Sequence, residues 1–303
     1  MMKSEVFMEK MVLQPSQPFN LDLTLRCGQA FRWEKIGVWW YGIVADKPFK
    51  VRQNGNALEF ENISASFVEK YFGLRDDLPL ILKQITKDKH VEAAVNALKG
   101  LRILRQNPWE CLVSYICATY KSIPAIKRML FNLSKKFGEK AVFDYRVFYT
   151  FPEPQRLAKA SPPEIASCGL GYRAKYVAET AKKVASGEFS IEELQAKPFE
   201  EARKKLLALP GVGPKVADCV LLFSLERLEA FPVDVWMKRI IIKHYAIHFE
   251  GEFVRRISHK KSLTTTEYEK LSLFGRSYFG KFAGYAQEYL FHFERVNARK
   301  APA

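Results

Sequence analysis

The sequence predicts an α+β fold: a twisted antiparallel β-sheet domain with helices over residues 1–103, then an all-helical domain over 104–303. Three observations carry that division. Apolar and polar residues alternate on both sides of an Asn54-Gly55 turn in the first part. From about residue 103 the apolar spacing lengthens to that of helices. Neither an internal repeat nor a low-complexity linker interrupts the chain.

Taken in order, Val38-Trp39-Trp40-Tyr41-Gly42-Ile43-Val44 has strand composition. Phe49 and Val51 precede the Asn54-Gly55 turn, and Leu58 and Phe60 follow it, as a hairpin requires. Ser66 with Glu69 reads as a capping box for a helix that ends at Gly73. Asn107-Pro108-Trp109-Glu110 supplies an N-cap, an N1 proline and an N3 acid, leading into an apolar face through Leu112, Tyr115 and Ile116. Ser161-Pro162-Pro163-Glu164 opens a short helix stopped near Gly169. The next helix starts near Arg173, carries Tyr176, Val177, Thr180, Ala181 and Val184 on one side, and ends before Gly187. Residues 200–208 and 215–225 form the two arms of a hairpin spanning about 199–225. Asp234 caps a helix that runs to Tyr245. The stretch 250–266, with Arg255-Arg256 and Lys260-Lys261, reads as an exposed basic loop.

Composition narrows the partner. Among 303 residues, 48 basic against 33 acidic side chains leave a formal charge of +15, with a pI near 9.5. Such an excess points to polyanions, nucleic acid foremost. An anionic membrane is the rival, but neither a basic amphipathic helix nor a lipidation signal supports it. Cys27, Cys111, Cys117, Cys168 and Cys219 are odd in number and form no C-x-x-C pair. That argues for a reducing compartment and against a zinc or iron–sulfur site. Residues 1–15 lack the apolar run of a signal peptide, and no stretch is long enough to cross a membrane. An intracellular protein is expected.

The chemistry concentrates in Leu209-Pro210-Gly211-Val212-Gly213-Pro214-Lys215-Val216-Ala217-Asp218-Cys219, followed by Pro232-Val233-Asp234-Val235. Gly211 and Gly213 make a tight turn whose outward N–H groups suit a phosphate oxygen. Pro214 has the fixed φ of a first helical residue. Lys215 then falls in the first turn, where the helix dipole favours the neutral amine able to attack carbon. Asp234, nineteen residues on, is the candidate acid partner. Each residue has a plainer reading beside this one. Lys215 could be a phosphate-contacting cation, Cys219 a small buried apolar residue, and Asp234 a helix cap contributing about 1 kcal/mol. Asp218 is the rival acid, three residues from Lys215, or else the partner of a neighbouring cation.

Several stretches together are similar to one family. They are Gly28-Gln29-Ala30-Phe31-Arg32-Trp33, Gly100-Leu101-Arg102-Ile103-Leu104-Arg105-Gln106, Gly169-Leu170-Gly171-Tyr172-Arg173-Ala174, the hairpin string, and Gly284-Tyr285-Ala286-Gln287. The chain resembles the 8-oxoguanine DNA glycosylase/AP lyases of the helix–hairpin–helix superfamily, from Leu21 to about Phe293. The resemblance implies a TATA-binding-protein-like N-terminal domain and a C-terminal helix that returns to complete a pocket. It implies excision of 8-oxoguanine from duplex DNA, followed by β-elimination through a lysine Schiff base. Lys215 matches the nucleophile and Asp234 the catalytic carboxylate. Gly28 matches the residue whose carbonyl meets N7–H of the lesion, where normal guanine has an acceptor. Cys219 and Phe291 match the walls around the everted base, and Gln287 the group on its pairing edge. Tyr172 matches a side chain wedged into the stack; Gly211, Gly213, Arg173 and Tyr120 match further DNA contacts. Carbonyls of Leu207, Leu209 and Val212 match a structural cation site, and no cofactor is required. A monomer acting on double-stranded DNA in the bacterial cytoplasm is expected, with no membrane partner.

The chain departs from the animal enzymes of this family in three places. Tyr120-Lys121-Ser122 replaces an asparagine triplet, Ala125 an arginine that reads the orphaned cytosine, and Trp236 a histidine after the catalytic Asp-Val. The first two changes remove hydrogen-bonding groups, so weak discrimination of the opposite base is expected. Two alternatives stand beside this reading. One is a monofunctional glycosylase for alkylated bases, against which Lys215 argues. The other is a DNA-binding module that touches phosphate only.

Overall fold

The computed structural model describes residues 8–44 and 46–300; the first seven residues of the expected leaderless terminus lie outside the described residues. Strand β1 (Met8–Val12) is followed by helix α1 (Leu21–Arg26), then by β2 (Trp33–Ile36), β3 (Trp39–Val44), β4 (Lys47–Asn54) and β5 (Ala57–Glu61). The five strands form one antiparallel sheet in the order β1-β5-β4-β3-β2. Period-two alternation explains both faces. Val51 pairs with Phe60 on the buried face, while Lys50 pairs with Glu61 and Arg52 with Glu59 on the other. The hairpin forms as expected, but Asn54 is the last residue of β4 and the corner is Gly55-Asn56.

Helix α2 (Ala65–Tyr71) lays Val68 and Tyr71 on the apolar face, where Trp33 Nε1 donates to the Tyr71 hydroxyl at 2.9 Å. Its cap corrects the expectation at Ser66: Ser64 is the N-cap and accepts from the Phe67 N–H. The reason is spacing, since Ser66 and Glu69 already lie inside the first two turns. Helices α3 (Leu78–Ile85) and α4 (Lys89–Ala97) follow, both opened by aspartate caps. Their apolar residues, with Cys27 and Phe31, join the core of the helical part rather than that of the sheet.

The helical part comprises α5 (Pro108–Ala118), α6 (Ile123–Phe137), α7 (Pro154–Lys159), α8 (Pro162–Ile165), α9 (Arg173–Ala185), α10 (Phe199–Leu207), α11 (Pro214–Ser224), α12 (Val235–His244), α13 (Gly251–Ser258), α14 (Thr265–Phe279) and α15 (Ala283–Lys300). It is not all helical: strands β6 (Lys140–Phe143) and β7 (Arg146–Tyr149) form a hairpin between α6 and α7. Asp144 at its tip accepts from Tyr41 at 2.6 Å and Lys50 at 3.0 Å, pinning the hairpin to the sheet. The expected basic loop over 250–266 is also corrected. Residues Gly251–Ser258 are helical because Phe253 and Ile257, one turn apart, are both buried. Arg256 and Lys260 converge on Glu267, whose carboxyl they hold at about pKa 2 together with the Thr264 N–H.

The stretch around Arg102 proves to be a strap. Arg102 is buried and donates to the carbonyls of Gly73 and Asp76 at 2.6 and 2.9 Å. Arg105 pairs with Asp76 at 2.7 Å, and Asp76 accepts from Tyr285 at 2.8 Å. Tyr289 donates to the Leu101 carbonyl at 2.9 Å. The N-terminal segment thereby fixes the start of α15, the helix that carries Gln287 and Phe291.

Candidate active site

The hairpin between α10 and α11 turns at Gly211, whose φ of +77° is open to glycine at little strain. A Cβ there would stand 2.6 Å from Cβ of Tyr176 on α9, so the hairpin sits flush on that helix. Thr180 of α9 donates to the Pro210 carbonyl at 3.1 Å and secures it. Gly213 is the N-cap of α11 and offers no side-chain cap, which leaves the first N–H groups of the helix for a ligand. Lys215 is the second residue of α11 and stays partly exposed. Its Nζ lies over the Tyr115 ring, 4.7 Å from the centroid.

Asp234 caps α12, accepting from the Met237 N–H at 2.8 Å. Burial pushes its pKa above the ordinary carboxylate value. The Met237 N–H, the charge on Lys215, the Trp236 N–H and Arg295 pull it back. Burial is the larger influence, so the net shift is upward, and these groups limit it. Capping explains its rigidity, and the nearby Lys215 charge favours its ionised form.

Lys215 and Asp234 both line a recess of about 320 Å³, together with Gly28, Cys219, Gln287 and Phe291. All six residues singled out for catalysis and base binding thus meet in one cavity. Cys219 follows Lys215 by one helical turn, and burial pushes its thiol up to about 12 despite Lys215, so it stays neutral. Gln287 and Phe291, four residues apart on α15, share a stripe with Arg295 four further on. That helix comes close to α11: a Cβ on Gly284 would lie 2.1 Å from Leu222 Cδ1. The Gln287 Oε1 atom is buried without a hydrogen-bond partner, which suits a group waiting for a ligand.

A groove of about 490 Å³ adjoins the recess and shares Lys215, Asp234, Lys121 and Trp236 with it; Gly211, Gly213 and Tyr120 line it too. Tyr172 lines neither cavity but is 60% exposed at the start of α9. Arg173 departs from the expectation of a DNA contact. It is 4% exposed, packs its guanidinium 4.4 Å from the Tyr172 ring and donates to the Thr119 carbonyl. It supports the turn carrying Tyr120, where φ is +53°.

Asp218 is placed away from the site. It is fully buried, accepts from Arg203 Nε and the Tyr268 hydroxyl at 2.6 Å each, and lines neither cavity. Among the carbonyls expected to hold a cation, that of Leu209 accepts the Val212 N–H at 3.2 Å, and that of Leu207 lies at the end of α10. A carbonyl that accepts one hydrogen bond keeps a second lone pair.

Sequence reasoning missed Tyr115, Glu288 and Arg295, all of which line the recess. Tyr115 was noted only as part of an apolar face. Glu288 and Arg295 carried one signal: charges beside and on the Gln287–Phe291 stripe of a helix expected to turn that stripe inward. Burial pushes Glu288 up to about 7, although a hydrogen bond with Cys27 and the charge of Arg295 oppose this.

Comparison with known proteins agrees with this geometry. Residues 11–112 match the model of the 8-oxoguanine DNA glycosylase N-terminal domain, and residues 113–260 match that of the HhH-GPD superfamily base excision DNA repair proteins. A probable N-glycosylase/DNA lyase of Methanothermobacter thermautotrophicus is 30% identical over 314 residues, covering 93% of this chain and 95% of the relative. The N-glycosylase/DNA lyase of Saccharomyces cerevisiae is 31% identical over 306 residues, covering 88% and 81%. Among solved structures, the Clostridium acetobutylicum 8-oxoguanine glycosylase/lyase, in complex with double-stranded DNA containing cytosine opposite 8-oxoguanine, superposes with a TM-score of 0.86. It is 31% identical and covers 97% of this chain and 99% of that one.

Proposed function

Since the chain belongs to the 8-oxoguanine DNA glycosylase family of the helix–hairpin–helix superfamily, we propose that it excises 8-oxoguanine from duplex DNA with Lys215 as nucleophile. It is an N-glycosylase/DNA lyase of base excision repair. The observation that carries the residue assignment is the convergence of Lys215, Asp234, Gly28, Cys219, Gln287 and Phe291 on one recess.

The base leaves the stack and enters the recess between Cys219 and Phe291. Lys215 Nζ attacks C1′ of the sugar as the bond to the base breaks, and the electron pair leaves with the base. Asp234 stabilises the positive charge that develops on the sugar. One proton passes from the nitrogen to the departing ring oxygen as the sugar ring opens to a protonated Schiff base. Loss of a C2′ proton then expels the 3′ phosphate, which cleaves the strand. At the Gly28 carbonyl, N7–H of the oxidised base is attracted and the N7 lone pair of normal guanine is repelled. Gln287 engages the pairing edge. The hairpin N–H groups, Tyr120 and Tyr172 contact the duplex, and the charge of +15 attracts it.

Lysine chemistry of this kind needs no bound cofactor. A cation at the Leu207, Leu209 and Val212 carbonyls would bridge hairpin and phosphate without entering the reaction. The same reading takes the protein as a monomer working on DNA inside the bacterial cell.

The test is strand cleavage of duplexes containing 8-oxoguanine, with and without sodium borohydride. A covalent adduct, lost in Lys215→Gln, is expected. Base release without an adduct would favour a water-using glycosylase, and salt-sensitive binding without base release a phosphate-binding module.

A further inference from the structure

One wall of the recess is a guanidinium to which the reaction above assigns no contact with base or sugar, although its charge lowers the Asp234 and Glu288 carboxyls. Arg295 is 7% exposed. Its Nη2 donates to the carbonyl of Arg26 at 2.8 Å and lies 3.1 Å from His292 Nδ1. Its Cζ lies 5.0 Å from the centroid of the Phe291 ring. Its Nη1 stands 2.6 Å from where a Cβ on Gly28 would be. A single planar cation thus touches both the loop that carries Gly28 and the Phe291 ring, two parts of the lining of one recess.

The other side of Gly28 is held independently. The Gln29 carbonyl accepts from Tyr115 at 3.1 Å and from Gln106 at 2.7 Å, while the Gln29 amide bonds to the Arg102 carbonyl at 2.8 Å. Gly28, at φ +104°, is therefore strung between two anchored neighbours. On the Arg26 side the loop reaches α15 through Arg295, which shares a helical stripe with Gln287 and Phe291, and through Cys27, hydrogen-bonded with Glu288. The Ile123 side chain, 3.0 Å from the same Cβ position, closes the remaining side.

We propose that Arg295 is a positioning residue for lesion recognition: it sets the gap between the Gly28 carbonyl and the face of Phe291, and with it the preference for oxidised over normal guanine. The inference rests on the reading of this recess as the base site. Telling N7–H from a bare N7 depends on one carbonyl at one distance. A hydrogen bond weakens steeply once that oxygen drifts or tilts, so the discrimination is only as firm as the loop. A guanidinium suits the task because its planar fork is pre-organised, stacks on an aromatic face and is charged at every working pH. A lysine would supply the charge without the fork.

The experiment uses the whole protein and the variants Arg295→Met and Arg295→Lys. Single-turnover base release is measured on duplexes carrying 8-oxoguanine or guanine at the same position, with KM for each. Cleavage of a duplex with a preformed abasic site, which needs Lys215 but no base, is measured beside it. For Arg295→Met, release of 8-oxoguanine should slow by about 10²-fold, with KM for the duplex and abasic-site cleavage unchanged and the preference over guanine reduced. Release at the wild-type rate, or a parallel fall in abasic-site cleavage by a folded variant, would overturn the proposal. If Arg295→Met does not fold, Arg295→Lys decides. Reduced preference with the lyase step intact supports the proposal; full preference, or equal loss of both steps, refutes it. Wild-type protein that releases no 8-oxoguanine would instead refute the functional reading itself, a result distinct from any of these.

Discussion

The Lys215 nitrogen rests 4.7 Å from the centre of the Tyr115 ring, and the Tyr115 hydroxyl donates to the Gln29 carbonyl at 3.1 Å. One buried side chain therefore links the amine proposed as nucleophile to the loop proposed to meet the base. The ring is itself fixed, stacked on Phe223 with centroids 5.6 Å apart.

Two substitutions separate the parts of Tyr115. Tyr115→Phe keeps the π face, and Gln106 still donates to the Gln29 carbonyl, so the rate of borohydride trapping should hold while stability falls by about 1 kcal/mol. Tyr115→Leu removes the face as well. The ring also holds the side chain in place, and a reacting group released from its position loses rate steeply, so trapping should slow by about tenfold. Single-turnover trapping and urea denaturation read the two effects; equal trapping rates in both variants would show that the ring has no part in holding the amine.

The two acids near Lys215 should fail differently. Asparagine caps a helix about as well as aspartate, so Asp234→Asn should fold with nearly wild-type stability while base release falls by at least about 10²-fold. Asp218→Asn removes a charge partner of Arg203, which is 7% exposed. Breaking a buried pair costs about 3 kcal/mol, partly offset here by Glu269 at 2.8 Å. Its melting temperature should drop while the folded fraction keeps its rate. A stable Asp218→Asn protein without activity would reverse the assignment.

Much of this site was legible because local rules and chemistry coincide in it. A proline at N1, a glycine turn and an aspartate cap are read from neighbours in sequence, so Pro214, Gly211 and Asp234 lie where expected. The β6–β7 hairpin was not legible. Its stability comes from Tyr41 and Lys50 on the distant sheet meeting Asp144, and no local pattern announces such a contact. The basic run 250–266 hid a helix for a related reason: charge drew the eye, while Phe253 and Ile257, one turn apart, fixed the structure. Arg173 misled in the same way, since a cation in a DNA-binding protein can be spent on a carbonyl of its own chain. Arg295 and Glu288 needed the fold, because only the return of α15 shows what they face.

Glu288 gives stability a pH signature. Burial lifts its carboxyl from an ordinary 4.5 to about 7, against the opposing Cys27 hydrogen bond and Arg295 charge. Between those values the unfolded chain has released this proton and the folded chain still holds it. The Glu288 contribution to stability therefore declines as pH rises through that window and stays at its lowest above about 7. Glu288→Gln carries no such proton. The stability of the variant relative to wild type should increase across the window, by up to about 3 kcal/mol. Urea midpoints at pH 4.5, 6 and 8 measure it; a flat difference would mean that the carboxyl ionises in the folded protein as it does in water.

Opposite-base selectivity follows from what borders the groove. Tyr120 is 69% exposed and presents a ring to the groove and Lys121 a point charge, while Ser122, on the recess beside it, has a hydroxyl that makes no cap bond to α6. A ring stacks on any base, and an ammonium on a flexible stem contacts phosphate as readily as a base edge. Ala125, two residues into the same helix, offers no hydrogen bond at all. None of these groups distinguishes cytosine from adenine by a fixed pair of donors. Release of 8-oxoguanine should therefore proceed at similar single-turnover rates opposite either base, and a hundredfold preference for cytosine would refute this. The converse change is as informative. Ala125→Arg restores a planar two-pronged donor on α6, and a good bidentate contact discriminates by about 1–3 kcal/mol. A preference for cytosine should then emerge, on the order of tenfold to a hundredfold, without any change in abasic-site cleavage, because that step never consults the opposite base.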